Sequence, residues 1–234
     1  MRYIGLLLAL TLCLFSKEIY ATFDVVADKN ANLAFIASGI VKKVYVDIGS
    51  SVKKGEILAE LSNEDIKASL QMAQIALKYA KRAYERELKV KHLVDEAKFD
   101  SVASRYENAK ANYMYKKALY EKSFLKAPFD GVIYKKDIEA GDAVNGMMLK
   151  NVFAIQSKTK RKLILYFDQK YIDAVQVGDM FVYKIDSSQK ELKAPIVKIY
   201  PYASYQNRKA KAEVKTENLT PGLFGSGFIH TKEN

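Results

Sequence analysis

The chain has 234 residues, of which 49% are hydrophobic, 28% charged and 12% aromatic, with 11 glycines, 4 prolines and a single cysteine. It is neither low-complexity nor collagenous nor disulfide-stapled, and it is long enough to bury a substantial core in one or two domains. The formal net charge is +11, and the only histidines, His92 and His230, stand far apart in sequence from each other and from Cys13, so no catalytic constellation, no metal site and no cofactor site is expected.

In chain order, Met1-Arg2-Tyr3 precedes an apolar run from Ile4 to Phe15, and Ser16-Lys17-Glu18-Ile19-Tyr20-Ala21 follows. A short positive start, an apolar stretch and a small residue make the layout of an export signal. The twelve residues from Ile4 to Phe15 fall short of the roughly 20 that span a bilayer, which disfavours an uncleaved anchor. A lipoprotein signal ending at Cys13 would want a small residue where Leu12 stands. Cleavage after Ala21 is therefore expected, leaving a mature chain without cysteine and with a net charge of +10. Excess basic charge can mean nucleic acid, anionic lipid or acidic protein partners. Export speaks against nucleic acid, and the charge is spread: residues 22–63 balance at 0, residues 64–122 sum to +4 and residues 123–234 to +6. Most of the lysines read as a solvated surface.

A repeat organises the next part of the chain. Gly39-Ile40-Val41 recurs as Gly131-Val132-Ile133, and Gly49-x-x-Val52 as Gly141-x-x-Val144, all at an offset of 92 residues; with two further residues, Leu58 to Leu61 corresponds to Val152 to Ile155. Each copy reads as a strand, a glycine-centred turn and a second short strand. A lone pair of short strands is marginal in water, so the two halves are expected to pack face to face as a small sandwich. Gly39, Gly49, Gly55, Gly131, Gly141 and, further on, Gly222 read as structural turn glycines.

Between the halves, residues 64–122 contain no Gly and no Pro, and helix is the natural reading. Ile66, Leu70, Ala73, Leu77, Ala80 and Tyr84 alternate spacings of 4 and 3, and so do Phe99, Val102, Tyr106, Ala109, Tyr113, Lys116 and Tyr120. These are heptad seams, and two such arms should pack antiparallel as a coiled-coil hairpin. The column Phe99, Tyr106, Tyr113 and Tyr120 reads as core packed against alanines of the partner arm, in preference to a nucleobase-stacking box. Asp95 is placed to cap the second arm. Regular pairing ends near Glu87 and Leu88, so the tip spans about 88–95.

From Lys162 onward the pattern is strand-like. Leu163 to Phe167, Phe181 to Ile185, Ala194 to Tyr200 and Lys209 to Thr216 are β-rich runs between polar turns, and a last strand is expected after Leu219-Thr220-Pro221-Gly222. Several short strands with polar turns suggest a small barrel. No phosphate loop, zinc spacing or nucleophile elbow appears.

With these pieces in place, residues 35–230 resemble the periplasmic adaptors, or membrane fusion proteins (HlyD-like, RND-type), of tripartite efflux pumps. The most specific matches are Gly39-x9-Gly49-x2-Val52-x2-Gly55 with Leu58 and Leu61, and Lys126-Ala127-Pro128-Phe129-Asp130-Gly131-Val132-Ile133 with Glu139-x-Gly141-x-x-Val144; Val177-Gly178 and Leu219-x-Pro221-Gly222 support them. The resemblance implies a mixed α and β fold: a biotinyl-lipoyl-like β sandwich (22–63 and 123–158) split by a long antiparallel coiled-coil α-hairpin (64–122), followed by a small β-barrel (159–234), after a signal peptide (1–21). It also implies a non-enzymatic, cofactor-free protein of the periplasm, held at the inner membrane. Its partners would be an inner-membrane transporter, RND-type in preference to ABC-type, a TolC-like outer-membrane channel, and further copies of itself in a hexamer. The family's tip contacts the outer channel, which points here to Leu88, Lys91, His92 and Asp95. Leu88 stands where the family often has leucine, whereas Asp95 and Tyr84 replace its usual serine and arginine, with Arg82 and Arg86 on either side of Tyr84. The membrane-proximal domain of many members is expected to be absent or reduced. Two rival readings are a lipoyl-like carrier, which needs its modified lysine at a tight turn where this chain places the hairpin, and a secreted basic coiled-coil protein that binds polyanions.

Overall fold

The computed structural model describes residues 17–93, 95–186, 188 and 190–231. Its first half contains β1 (Lys17–Ala27), β2 (Asn30–Leu33), β3 (Gly39–Val44), β4 (Ser51–Val52), β5 (Ile57–Leu61) and the helix α1 (Glu64–Lys89). Then come α2 (Glu96–Glu121), β6 (Phe124–Lys126), β7 (Gly131–Lys136), β8 (Ala143–Val144) and β9 (Phe153–Gln156). The last part is β10 (Lys160–Asp168), β11 (Met180–Ile185), β12 (Glu191–Ala203), β13 (Lys209–Glu217) and β14 (Phe224–Thr231). Two compact units result: residues 30–158, and the stretches on either side of them.

In the first unit two four-stranded sheets, ordered β2-β9-β7-β4 and β6-β5-β3-β8, face each other. Adding four to the first-half strand numbers and subtracting four from the second-half ones turns one order into the other, so the 92-residue repeat is an internal two-fold. The sequence suggested that each half supplies one face. Instead, each sheet takes strands from both halves, because the halves exchange hydrogen bonds across the glycine turns. Gly49 N–H donates to Ile133 O (2.8 Å) and Ile133 N–H to Ser50 O (3.0 Å); in the same way Gly141 N–H donates to Val41 O (2.8 Å) and Val41 N–H to Asp142 O (2.8 Å). Gly49 and Gly141 hold φ of 88° and 97°, the left-handed region that costs glycine least. Between the sheets, Val41, Val52, Leu58 and Leu61 pack with Ile133, Ile138, Phe153 and Ile155.

Gly39 and Gly131, expected at turns, instead begin β3 and β7 without positive φ, while Gly55 and Gly222 have it. Gly131 is needed for close approach: a Cβ there would lie 2.4 Å from Gln156 O, whereas at Gly39 it would meet Leu61 at an ordinary 3.4 Å.

The second unit is a closed six-stranded barrel, β1-β10-β13-β12-β11-β14. Its interior is filled by alternate residues of every strand, among them Phe23, Leu163, Leu165, Phe167, Phe181 and Ile229. One expectation needs correction here. Residues 22–27 belong to the barrel and not to the sandwich, since β1 pairs with β10 on one side and β14 on the other. The expected cleavage after Ala21 falls within this strand; the rest of the expected signal, residues 1–16, lies outside the described residues. The strand alternation of Ile19, Ala21, Phe23 and Val25, all buried, begins inside the segment read as an export signal and so was not read as a strand.

Two outcomes follow. Because β5 already pairs with β6, Glu60 opposite Phe124, replacing 64–122 by a short Gly-containing turn should leave both β units folded, with circular dichroism losing its helical signal alone. Gly131→Ala should lower sandwich stability by about 1–3 kcal/mol through overpacking. Gly39→Ala should stay within about 0.5 kcal/mol of the parent, both read from denaturant midpoints.

Candidate docking site at the hairpin tip

The hairpin is rooted where β5 ends and β6 begins. Asn63 Nδ2 donates to Ser123 Oγ (3.0 Å), which in turn donates to Tyr120 O (2.6 Å). Both side chains are buried, so the pair satisfies polar groups that would otherwise be stranded. Lys42 on β3 donates to Glu64 at the start of α1 (2.5 Å), and Lys126 on β6 to Glu121 at the end of α2 (2.5 Å). The Lys42 bond holds the Glu64 carboxyl below its ordinary pKa and the Lys42 ammonium above its own. These pairs are exposed and position the helices more than they stabilise them.

From this root two 26-residue helices extend about 39 Å and lie antiparallel, since Tyr84 near the end of α1 meets Phe99 and Tyr106 near the start of α2. All the seam positions expected from the heptads, Ile66 to Tyr84 and Phe99 to Tyr120, are buried or half-buried. Ala73 is the only fully buried residue of the two helices. The aromatic column, expected on alanines, partly meets another aromatic: Tyr84 stacks on Tyr106 with ring centres 5.1 Å apart and lies 5.8 Å from Phe99. Nor does the seam stop at Glu87. Its side chain is 18% exposed and pairs with Lys98 at 3.1 Å, extending the contact by an ion pair where apolar residues run out.

Leu88 lies off the seam and is 48% exposed. A 3-10 turn, Lys91–Leu93, then carries the chain toward α2. The structure thus places all four expected contact residues, Leu88, Lys91, His92 and Asp95, at the solvent-exposed end of the hairpin. Lys91 Nζ sits 4.7 Å above the Phe99 ring. Asp95 occupies the N-cap position of α2 but makes no side-chain capping bond, so its expected capping role is confined to backbone. Sequence reasoning passed over Val90 and Leu93, which are 37% and 74% exposed. Apolar residues at positions 90, 93 and 94 of an otherwise polar and charged turn were the available signal.

Two further apolar surfaces stand out in this unit. Met72, Ile75 and Tyr79 form an exposed stripe on α1 at helical spacing, turned away from the α2 seam. Met147, Met148 and Leu149 are exposed in the loop that holds the two-residue difference between the repeat halves. Among the described residues no group of three or more His, Cys, Asp or Glu gathers to hold a metal ion, and no helix is long and apolar enough to cross a membrane.

The sequence profile of the CzcB-like, barrel-sandwich hybrid domain matches residues 29–156, the compact unit that carries this hairpin. The chain belongs to this family. It is 28% identical over 218 residues to the cobalt-zinc-cadmium resistance protein CzcB of Cupriavidus metallidurans, covering 84% of this chain and 42% of that one. A cation efflux system protein CzcB of an Alcaligenes species is 27% identical over the same shares. The chain thus spans less than half the length of these CzcB relatives. Among solved structures, a MacA-MexA chimera with the Pseudomonas aeruginosa MexA α-hairpin superposes with a TM-score of 0.82 at 21% identity, over 92% of this chain and 79% of that one. The membrane fusion protein Spr0693 of Streptococcus pneumoniae gives 0.73 at 14% identity, over 92% and 100% of the two chains. ZneB from Cupriavidus metallidurans gives 0.61 at 15%, over 93% and 72%. These likenesses establish the membrane-fusion fold for the CzcB-like chain.

Since Leu88 lies off the seam and Tyr84 on it, their substitutions should separate. Leu88→Ser should leave the thermal midpoint within about 2 °C of the parent. Tyr84→Ala, which removes a stacked ring, should cost about 1–3 kcal/mol and reduce helicity.

Proposed function

We propose that this protein is the periplasmic adaptor of a tripartite efflux pump, joining an inner-membrane transporter of RND type to a TolC-like outer-membrane channel without chemistry of its own. The observation that carries the reading is the hairpin: a CzcB-like sandwich supporting a thin two-helix projection whose apolar residues at the far end are exposed. A two-helix seam with one fully buried residue is a poor core but a good spacer. The tip offers Leu88, Val90 and Leu93 among Lys91, His92 and Asp95, an apolar centre with a charged rim. Export by the N-terminal signal would bring the chain to the periplasm. The names of its relatives, cobalt-zinc-cadmium resistance and cation efflux, make divalent transition-metal cations the cargo of choice.

Self-assembly is part of the same reading. The helix α1 carries one apolar seam toward α2 and a second stripe, Met72, Ile75 and Tyr79, that α2 leaves exposed. A copy of the hairpin packed alongside would cover that stripe, and a ring of such hairpins, six by family resemblance, would coil its seams around a central conduit.

Pull-down of the outer-membrane channel from the native host tests the reading. The parent protein should capture it, and Leu88→Ser and Leu93→Ser should reduce capture at least tenfold with unchanged thermal midpoints; undiminished capture would refute the tip assignment. Deleting the gene should sensitise the host to cobalt, zinc or cadmium, and unaltered tolerance to all three would exclude the cation cargo. Ile75→Asp should keep the parent's helicity while shifting the light-scattering mass from oligomer to monomer.

A further inference from the structure

We propose that the export cleavage falls ahead of β1, between Cys13 and Lys17, with Ser16–Lys17 the bond cut, and not after Ala21. The inference rests on the export reading above and specifies where processing must stop for the barrel to survive.

Both Ser16 and Ala21 put a small residue before the cut, so the local rule for the peptidase does not separate them. The fold does. Strand β1 closes the barrel: Lys17 to Asp24 pair with Thr231 to Phe224, and Ala21 to Ala27 pair with Phe167 to Arg161. Ala21 is bonded into both neighbours, opposite Phe167 and Gly227, and is 0% exposed. Ile19, two residues earlier, is 1% exposed, and Tyr20 packs edge-on against Phe228 with ring centres 5.8 Å apart.

A cut after Ala21 would remove Ile19 and Ala21 from the core and strip β14 of its partner from Gly227 to Thr231. That opens the wall along an unpaired edge. It would also leave a charged α-ammonium on Thr22, which sits mid-wall between Tyr166 and Ser226, where a new charge is costly. In a cut after Ser16, water adds across the Ser16–Lys17 amide; Ser16 leaves with the new carboxylate and Lys17 keeps the new α-ammonium at the strand's first residue. The whole strand stays with the mature chain, and Cys13 leaves with the leader.

Intact-mass measurement and N-terminal sequencing of the protein purified from the native host decide the matter. A chain beginning at Lys17, or up to three residues before it, is expected. A chain beginning at Thr22, or at any other residue from Glu18 to Ala27, overturns the proposal while leaving export standing; a retained Met1 overturns both. A second comparison removes dependence on the host's peptidase. Chains started at Lys17 and at Thr22 are made without a leader, and the shorter one should lose about 10 °C or more in thermal midpoint or its cooperative barrel transition altogether. Equal midpoints would show that residues 17–21 are dispensable and would overturn the argument.

Discussion

The sandwich depends on four backbone hydrogen bonds that tie each half's glycine turn to a strand of the other half, β7 for the first turn and β3 for the second. Gly49 and Ser50 bond to Ile133, and Gly141 and Asp142 bond to Val41. Each four-stranded sheet takes two strands from each half, so neither half can complete a sheet alone. The side chains follow from this exchange: Val41 and Ile133, carried inward by the bonded strands, form the centre of a core to which both halves contribute. A chain that closes on itself through these turns has its β5 and β6 ends side by side, and the insertion of a long helical pair between them disturbs no strand. Hence the hairpin can be long and still have a fixed root at Asn63 and Ser123.

Under the adaptor reading, the hairpin contributes its reach and its end. Two helices alone can bury only one stripe each, and here that stripe is built from alanine, leucine and half-buried tyrosine with a single residue fully covered. Stability drawn from such a seam is modest. What the arrangement supplies is distance and a presented tip, where Leu88, Val90 and Leu93 find no cover within the unit. The CzcB-like profile ends with the sandwich at residue 156, and the barrel that follows is completed by a strand from before the profile begins.

Much of this architecture was legible because it is periodic. The offset of 92 residues located the two halves, and the heptad spacings located the seam, since Ile66, Leu70, Ala73, Leu77, Ala80 and Tyr84 are all among the residues of α1 that the structure covers. Pairing between distant strands was not legible. Strand exchange between the halves and the return of Lys17–Ala27 to the barrel are both set by long-range hydrogen bonds that leave no local pattern. For the candidate site, Leu88, Lys91, His92 and Asp95 were found at the tip, but Val90 and Leu93 were passed over because exposure of an apolar residue in a turn depends on where the chain ends its helix. Tyr84 on Tyr106 was missed for a related reason: heptads give the face of each arm and not the relative stagger of the two.

Amide hydrogen exchange resolved by residue tests most directly whether the glycine-turn interlock closes the sandwich independently of the hairpin it carries. The account predicts that the N–H groups of Val41, Gly49, Ile133 and Gly141 exchange at similar rates within the slowest class of the unit, while α1 and α2 amides exchange through a separate opening of lower free energy. A single opening free energy shared by sandwich and hairpin, or fast exchange at the four turn-bonded amides, would contradict it.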